Sequence, residues 1–137
     1  MISLDTNAVI AAISGRIPAV RRRLEKTLAG REPVGISSIV LYELWFGIRK
    51  SARPEANAEI LRTFLAVGVE PWPFEPEDAE EAGDIRYALE RAGTPIGPYD
   101  LLIAAQARRR GALLVTGNRR EFARVPRLRV EDWAEAR

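Results

Sequence analysis

The 137-residue sequence contains no cysteine and no histidine, and each absence removes a class of chemistry. Without thiols there is no disulfide, no thiolate nucleophile and no cysteine-ligated zinc, and the composition fits a reducing compartment. Without imidazole there is no Ser-His-Asp triad, no histidine-ligated metal and no histidine nucleophile. Hydrolysis must then fall to carboxylates, with a metal as the natural helper. Lysine is scarce too: of 21 basic residues, only Lys26 and Lys50 are not arginine. The planar arginine fork pairs with two phosphate oxygens at once, although coding bias produces the same Arg-rich, Ala-rich composition. Long apolar runs are missing as well. Asp5 interrupts the N-terminal one, no basic stretch precedes it, and no later run is long enough to span a bilayer. The chain therefore reads as cytoplasmic, with no secretory signal.

What remains is a globular composition, 47% hydrophobic and 29% charged with a net charge of +2. The length suits a single domain with a real core, and no linker, repeat or composition shift divides it. The first seven residues, Met-Ile-Ser-Leu-Asp-Thr-Asn, read as a short buried strand running into a polar turn. If that strand is central in a parallel sheet, Asp5 stands at its carboxyl end, where open α/β sheets place their ligands. Asp and Asn are also favoured helix caps, so Asp5 or Asn7 has a structural role open to it at the start of a helix over 8–14.

Further along, helix periodicity predicts segments over 19–29, 39–50 and 56–66, with Ser37 or Ser38 capping the second. Short strands are expected at 34–36 and 67–72. Six acids crowd Glu75 to Asp84, before a helix running to Ala92, and suit the helix dipole and solvent better than a metal. Pro98 fits the first position of another helix, which puts Asp100 in its first turn and Arg108 to Arg110 in its last. Ala112 to Thr116 is a fourth buried strand, followed by a loop carrying Asn118 and Glu121, and a last strand is expected near 127–130. This alternation argues for a three-layer α/β/α domain with a central parallel sheet.

Glu43 is the only acid of the 39–50 helix, set among Ile39, Val40, Leu44, Phe46 and Gly47, and its neighbours three and four residues away share its face. A carboxylate on an apolar surface calls for a cation, either arginine or metal. Trp45, with Leu41 and Ile48, lies on the opposite face, as core or as a docking surface. Asp5, Glu43 and Asp100 all follow strands, directly or through the next helix, and can converge with Asn118 or Glu121 at one end of the sheet. Carboxylates gathered there raise one another's pKa, and a divalent cation removes the conflict. With only hard oxygen ligands on offer, the ion is expected to be Mg²⁺ or Mn²⁺, the reaction attack by water on a phosphodiester, and the substrate a nucleic acid.

Together, Leu4-Asp5-Thr6-Asn7, Ile36 to Leu44 with Glu43 and Gly47, Gly97-Pro-Tyr-Asp100 with Ile103-Ala104, and Val115-Thr116-Gly-Asn118-Arg-Arg-Glu121-Phe122 resemble the PIN domain ribonucleases. The nearest branch in pattern is VapC, the toxin of VapBC modules. The resemblance implies an Mg²⁺-dependent endoribonuclease acting on structured RNA such as tRNA, a homodimer, and inhibition by a cognate VapB antitoxin. It assigns Asp5 and Asp100 as metal-binding carboxylates and Glu43 as the third acid. The fourth place departs from the commoner aspartate: Asn118 stands there, with Glu121 three residues on, so either is the candidate fourth ligand. Thr6, Ser38 and Thr116 match positions that orient acids or water, and the third helix, with Trp45 and Phe46, matches part of an antitoxin groove. Haloacid-dehalogenase and receiver domains fit poorly, because the first needs an acid where Asn7 stands and the second a lysine after its last strand. The alternative from another class is a nucleic-acid-binding or regulatory module with an inactive acid cluster.

Overall fold

The computed structural model describes residues 1–135. Five short strands, β1 (Ile2–Leu4), β2 (Val34–Ser37), β3 (Val69–Trp72), β4 (Leu113–Val115) and β5 (Val130–Glu131), form one sheet in the order β3-β2-β1-β4-β5. Every pairing is parallel, with Ile2 beside Val34 and Leu113, and Leu4 beside Val115. A parallel strand covered on both faces is apolar throughout, and all three residues of β1 are buried.

Seven helices connect the strands: α1 (Thr6–Ser14), α2 (Pro18–Ala29), α3 (Ser38–Arg49), α4 (Pro54–Ala66), α5 (Pro76–Arg91), α6 (Pro98–Arg110) and the single turn α7 (Arg119–Phe122). Helices α1 to α4 pack on one another, and α5 packs on α6. The right-handed rule for parallel crossovers explains the grouping. From β1 through β2 to β3 the chain moves one way across the sheet, then it returns past β1 to β4, so the later crossover covers the opposite face. The order reverses beside β1, which puts the switch point of the sheet at the carboxyl ends of β1 and β4.

Local chemistry sets the ends of these elements. Asp5 caps α1, Ser37 caps α3, proline opens α2, α4, α5 and α6, and left-handed Gly15 and Gly111 close α1 and α6. Helix α6 is apolar on nearly every side, with Ile103, Ala104, Ala105 and Ala107 at most 1% exposed, because it lies between the sheet and α5. At Gly35 the sheet demands a bare backbone: a Cβ there would stand 2.0 Å from the Trp72 ring.

Four local expectations change. The helix expected from Ala8 begins at Thr6, and the strand expected from Val67 begins at Val69, after Gly68 at a φ of 113°. The 119–122 segment is a helical turn rather than a loop, and the last strand is Val130–Glu131, because Arg127 takes a left-handed φ of 59°. Asp78 differs most from expectation. Instead of facing solvent it is fully buried, accepting from the backbone N–H of Glu75 at 2.8 Å and pairing with the Arg109 guanidinium of α6.

Candidate active site

Asp5 leaves β1 at the switch point and is only 5% exposed. Of its two predicted roles, the helix cap is seen directly, and the carboxylate also stands at the strand's carboxyl end, as the ligand-site expectation requires. Oδ1 accepts from the Ala8 backbone N–H at 2.8 Å, which caps α1, while Oδ2 accepts from the hydroxyl of Thr116 at the end of β4. Thr116 Oγ1 in turn accepts from the Asn118 backbone N–H at 2.9 Å. Burial pushes the Asp5 carboxyl above its ordinary range, the Thr116 and Ala8 bonds partly oppose this, and the negative charges of Glu43 and Asp132 add to it.

Glu43 reaches the same place from α3. Its Oε1 accepts from the Thr6 hydroxyl at 2.6 Å, so the partner of this acid is a neutral threonine, not an arginine. Asp100 arrives in the first turn of α6 and is pushed up to about 6 from the ordinary 3.8. Burial is the main cause, followed by the charges of Glu121, Glu43 and Asp5 and by a hydrogen bond with Glu121. Asp100 thus feels three carboxylates, Asp5, Glu43 and Glu121, which come from well-separated parts of the sequence.

Glu121 and Asn118 lie beside this group and hold each other. Glu121 Oε1 accepts from the Gly97 backbone N–H at 2.8 Å, and Oε2 accepts from Asn118 Nδ2 at 2.7 Å. This clamp ties α7 to the start of α6 and so fixes Asp100. Among the described residues, no three acids are yet gathered closely enough to grip a single ion. The donor set nevertheless fits a hard divalent cation: all of it is oxygen, and the burial and mutual repulsion that raise the Asp5 and Asp100 carboxyls are costs that a bound cation would offset. Ser38, matched to the orienting positions, faces elsewhere and accepts from the Phe74 backbone N–H at 3.0 Å. Asp132 was missed in the sequence, where it looked like part of a closing segment. The available signal was its place just beyond the last strand, at the same end of the sheet.

Two surface features border the acids. A groove of about 330 Å³ runs between α1, α3 and α4, lined by Ile10, Ile13, Leu44, Ile48 and Ile60, with Glu43 at its edge. Trp45 lines a separate recess under Arg62, and Phe46 is 58% exposed. On the rim formed by α3 and α6, the rings of Tyr42 and Tyr99 meet with centroids 5.5 Å apart.

A family profile for the PIN domain matches residues 2–128. The tRNA(fMet)-specific endonuclease VapC of Salmonella typhimurium is 41% identical over 130 residues, 95% of this chain and 96% of that one. Among solved structures, VapBC2 from Rickettsia felis bound to a promoter DNA fragment matches with a TM-score of 0.90 at 40% identity, covering 97% of this chain and 99% of that one. DNA-bound VapBC from Salmonella typhimurium matches with a TM-score of 0.88 at 40% identity, covering 96% and 97%. The parallel five-stranded sheet, the acids at its switch point and likeness along almost the entire chain agree: this is a PIN-domain protein of the VapC family.

Proposed function

We propose that the chain is a metal-dependent endoribonuclease, the toxin of a VapBC module, which cleaves structured RNA such as tRNA in the cytoplasm. The observation that carries this reading is the meeting of Asp5, Glu43 and Asp100 at the switch point, with Asp100 raised to about 6 by burial first and by its acidic neighbours second. Asp5, Asp100 and Glu43, with the amide oxygen of Asn118, are the residues that would hold Mg²⁺ or Mn²⁺. Bound there, the ion neutralises the acids, lowers the pKa of water and steadies the charge of a phosphodiester under attack. The chain's own part is positional. Thr116 and Ala8 orient Asp5, Thr6 orients Glu43, and the Glu121 clamp sets Asp100. Glu121 supports α6 in this account and leaves the fourth ligand place to Asn118.

The apolar groove between α1, α3 and α4 suits one face of an amphipathic helix from a VapB-type antitoxin, and Glu43 at its edge offers that helix a charge partner. Trp45 and Phe46 lie outside this groove, so the docking face turns toward Leu44 and Ile48. Assembly as a homodimer belongs to the same proposal, and sedimentation of the purified chain tests it. The deciding experiment exposes a mixed tRNA pool to the purified, antitoxin-free chain with Mg²⁺, Mn²⁺ or EDTA, beside Asp5→Ala. Discrete cuts that require both metal and Asp5 are expected. Persistent silence with stable RNA binding would instead favour an inactive nucleic-acid-binding module.

A further inference from the structure

Tyr42 and Tyr99 are 53% and 45% exposed, and neither packs into the hydrophobic core. Each stands immediately before an acid of the site, Tyr42 before Glu43 in α3 and Tyr99 before Asp100 in α6. Their rings are inclined at 54° with centroids 5.5 Å apart across the junction of the two helices. The placement matters because the carboxylates that suit a metal also repel an RNA backbone. Affinity beside the scissile phosphate is best supplied there by uncharged contacts. An aromatic face provides one, since stacking against a nucleobase tolerates nearby charge and any base identity.

We propose that Tyr42 and Tyr99 form a stacking platform that holds one unpaired nucleobase of the RNA beside the acidic centre and so positions the adjoining phosphodiester. This rests on the ribonuclease reading and extends it to substrate selection. A base within a duplex has both faces covered, so the platform admits loop nucleotides and rejects helical ones. The rings are positioning residues rather than catalytic ones, and the acids keep their roles without them.

The test uses an RNA hairpin that the wild-type chain cleaves, with 2-aminopurine scanned through its loop and bound to the Asp5→Asn chain. Quenching is expected at the nucleotide beside the cut. Added Tyr42→Ala or Tyr99→Ala should abolish the quench and weaken binding about five- to a hundredfold, and Phe at either position should restore both. In the active chain, the Ala variants should raise KM more than they lower kcat. Unchanged affinity and quenching, or a loss that Phe fails to restore, would overturn the platform. A fall in sedimentation mass accompanying the loss would also overturn it, by showing that a second copy of the chain covers the rings. If the wild-type chain cuts no RNA, the ribonuclease reading fails and takes the platform with it; wild-type cleavage with unaffected Ala variants defeats the platform alone.

Discussion

Asp5 caps α1 through one oxygen and accepts from Thr116 through the other, and its cap can be separated from its proposed metal role by substitution. Asparagine keeps an acceptor for the Ala8 N–H but carries no charge. Asp5→Asn should therefore melt no lower than the wild type in EDTA at neutral pH, because burial already disfavours the charged form. Its RNA cleavage should fall at least about a hundredfold, as expected when a ligand to a catalytic ion is lost. A melting temperature lowered by several degrees would mean that the carboxylate stabilises the fold. Asp100 adds a pH signature. Its folded pKa of about 6 lies above the ordinary 3.8, so between these values the folded chain binds more protons than the unfolded one. Stability should fall as pH rises through that window in EDTA. Urea denaturation across it checks the slope, and Asp100→Asn should flatten it.

At the scale of elements, α7 acts through a single side chain. Glu121 holds the Gly97 N–H and the Asn118 amide together, so one turn of helix fixes the start of α6. Glu121→Gln should keep the acceptor at Gly97 while removing a charge. Amide exchange at Gly97 should then stay slow while Asp100 titrates closer to its ordinary value, both measurable by NMR. The junction of α5 and α6 carries an ion pair between buried Asp78 and the partly exposed Arg109. Arg109→Ala would leave Asp78, 0% exposed, without its guanidinium, and about 2–4 kcal/mol of stability should be lost in urea denaturation. Between β2 and β3 the constraint is steric. A methyl group at Gly35 collides with Trp72, so Gly35→Ala should cost about 3 kcal/mol or more by the same measurement.

Taken whole, the chain gathers acids at one end of its sheet and engages part of its arginine surplus internally. Arg23, Arg108 and Arg109 pair with Glu131, Glu81 and Asp78. Arginine content alone is thus a poor measure of nucleic-acid affinity here. If a divalent cation binds the acids only in the folded state, Mg²⁺ should raise the melting temperature at pH 7 and do so much less at pH 5, where Asp100 is protonated. Calorimetry of wild type and the Asp5→Asn, Asp100→Asn double variant would show this, since the double variant should lose the Mg²⁺ response. An equal response from both proteins would place the ion elsewhere.

Much of this architecture was legible in the residues. Apolar runs of strand length, helix periodicity and capping signals are local, and they located every strand to within a few positions. The donor chemistry was also determined by the sequence: with no imidazole or thiol, oxygen is what the chain can offer a metal. Tertiary structure decided which residues meet. The bond between Asp5 and Thr116 spans 111 positions and exists because β1 lies beside β4, an adjacency that no local pattern encodes. Likewise, Glu121 could be recognised as an acid near the site, but only the fold shows both of its oxygens satisfied by Gly97 and Asn118. Asp78 looked like a solvated acid until α6 brought Arg109 against it. Periodicity and capping depend on neighbours a few residues away and survive in the bare sequence, whereas strand order and register bring distant side chains into contact and arise only when the sheet is assembled.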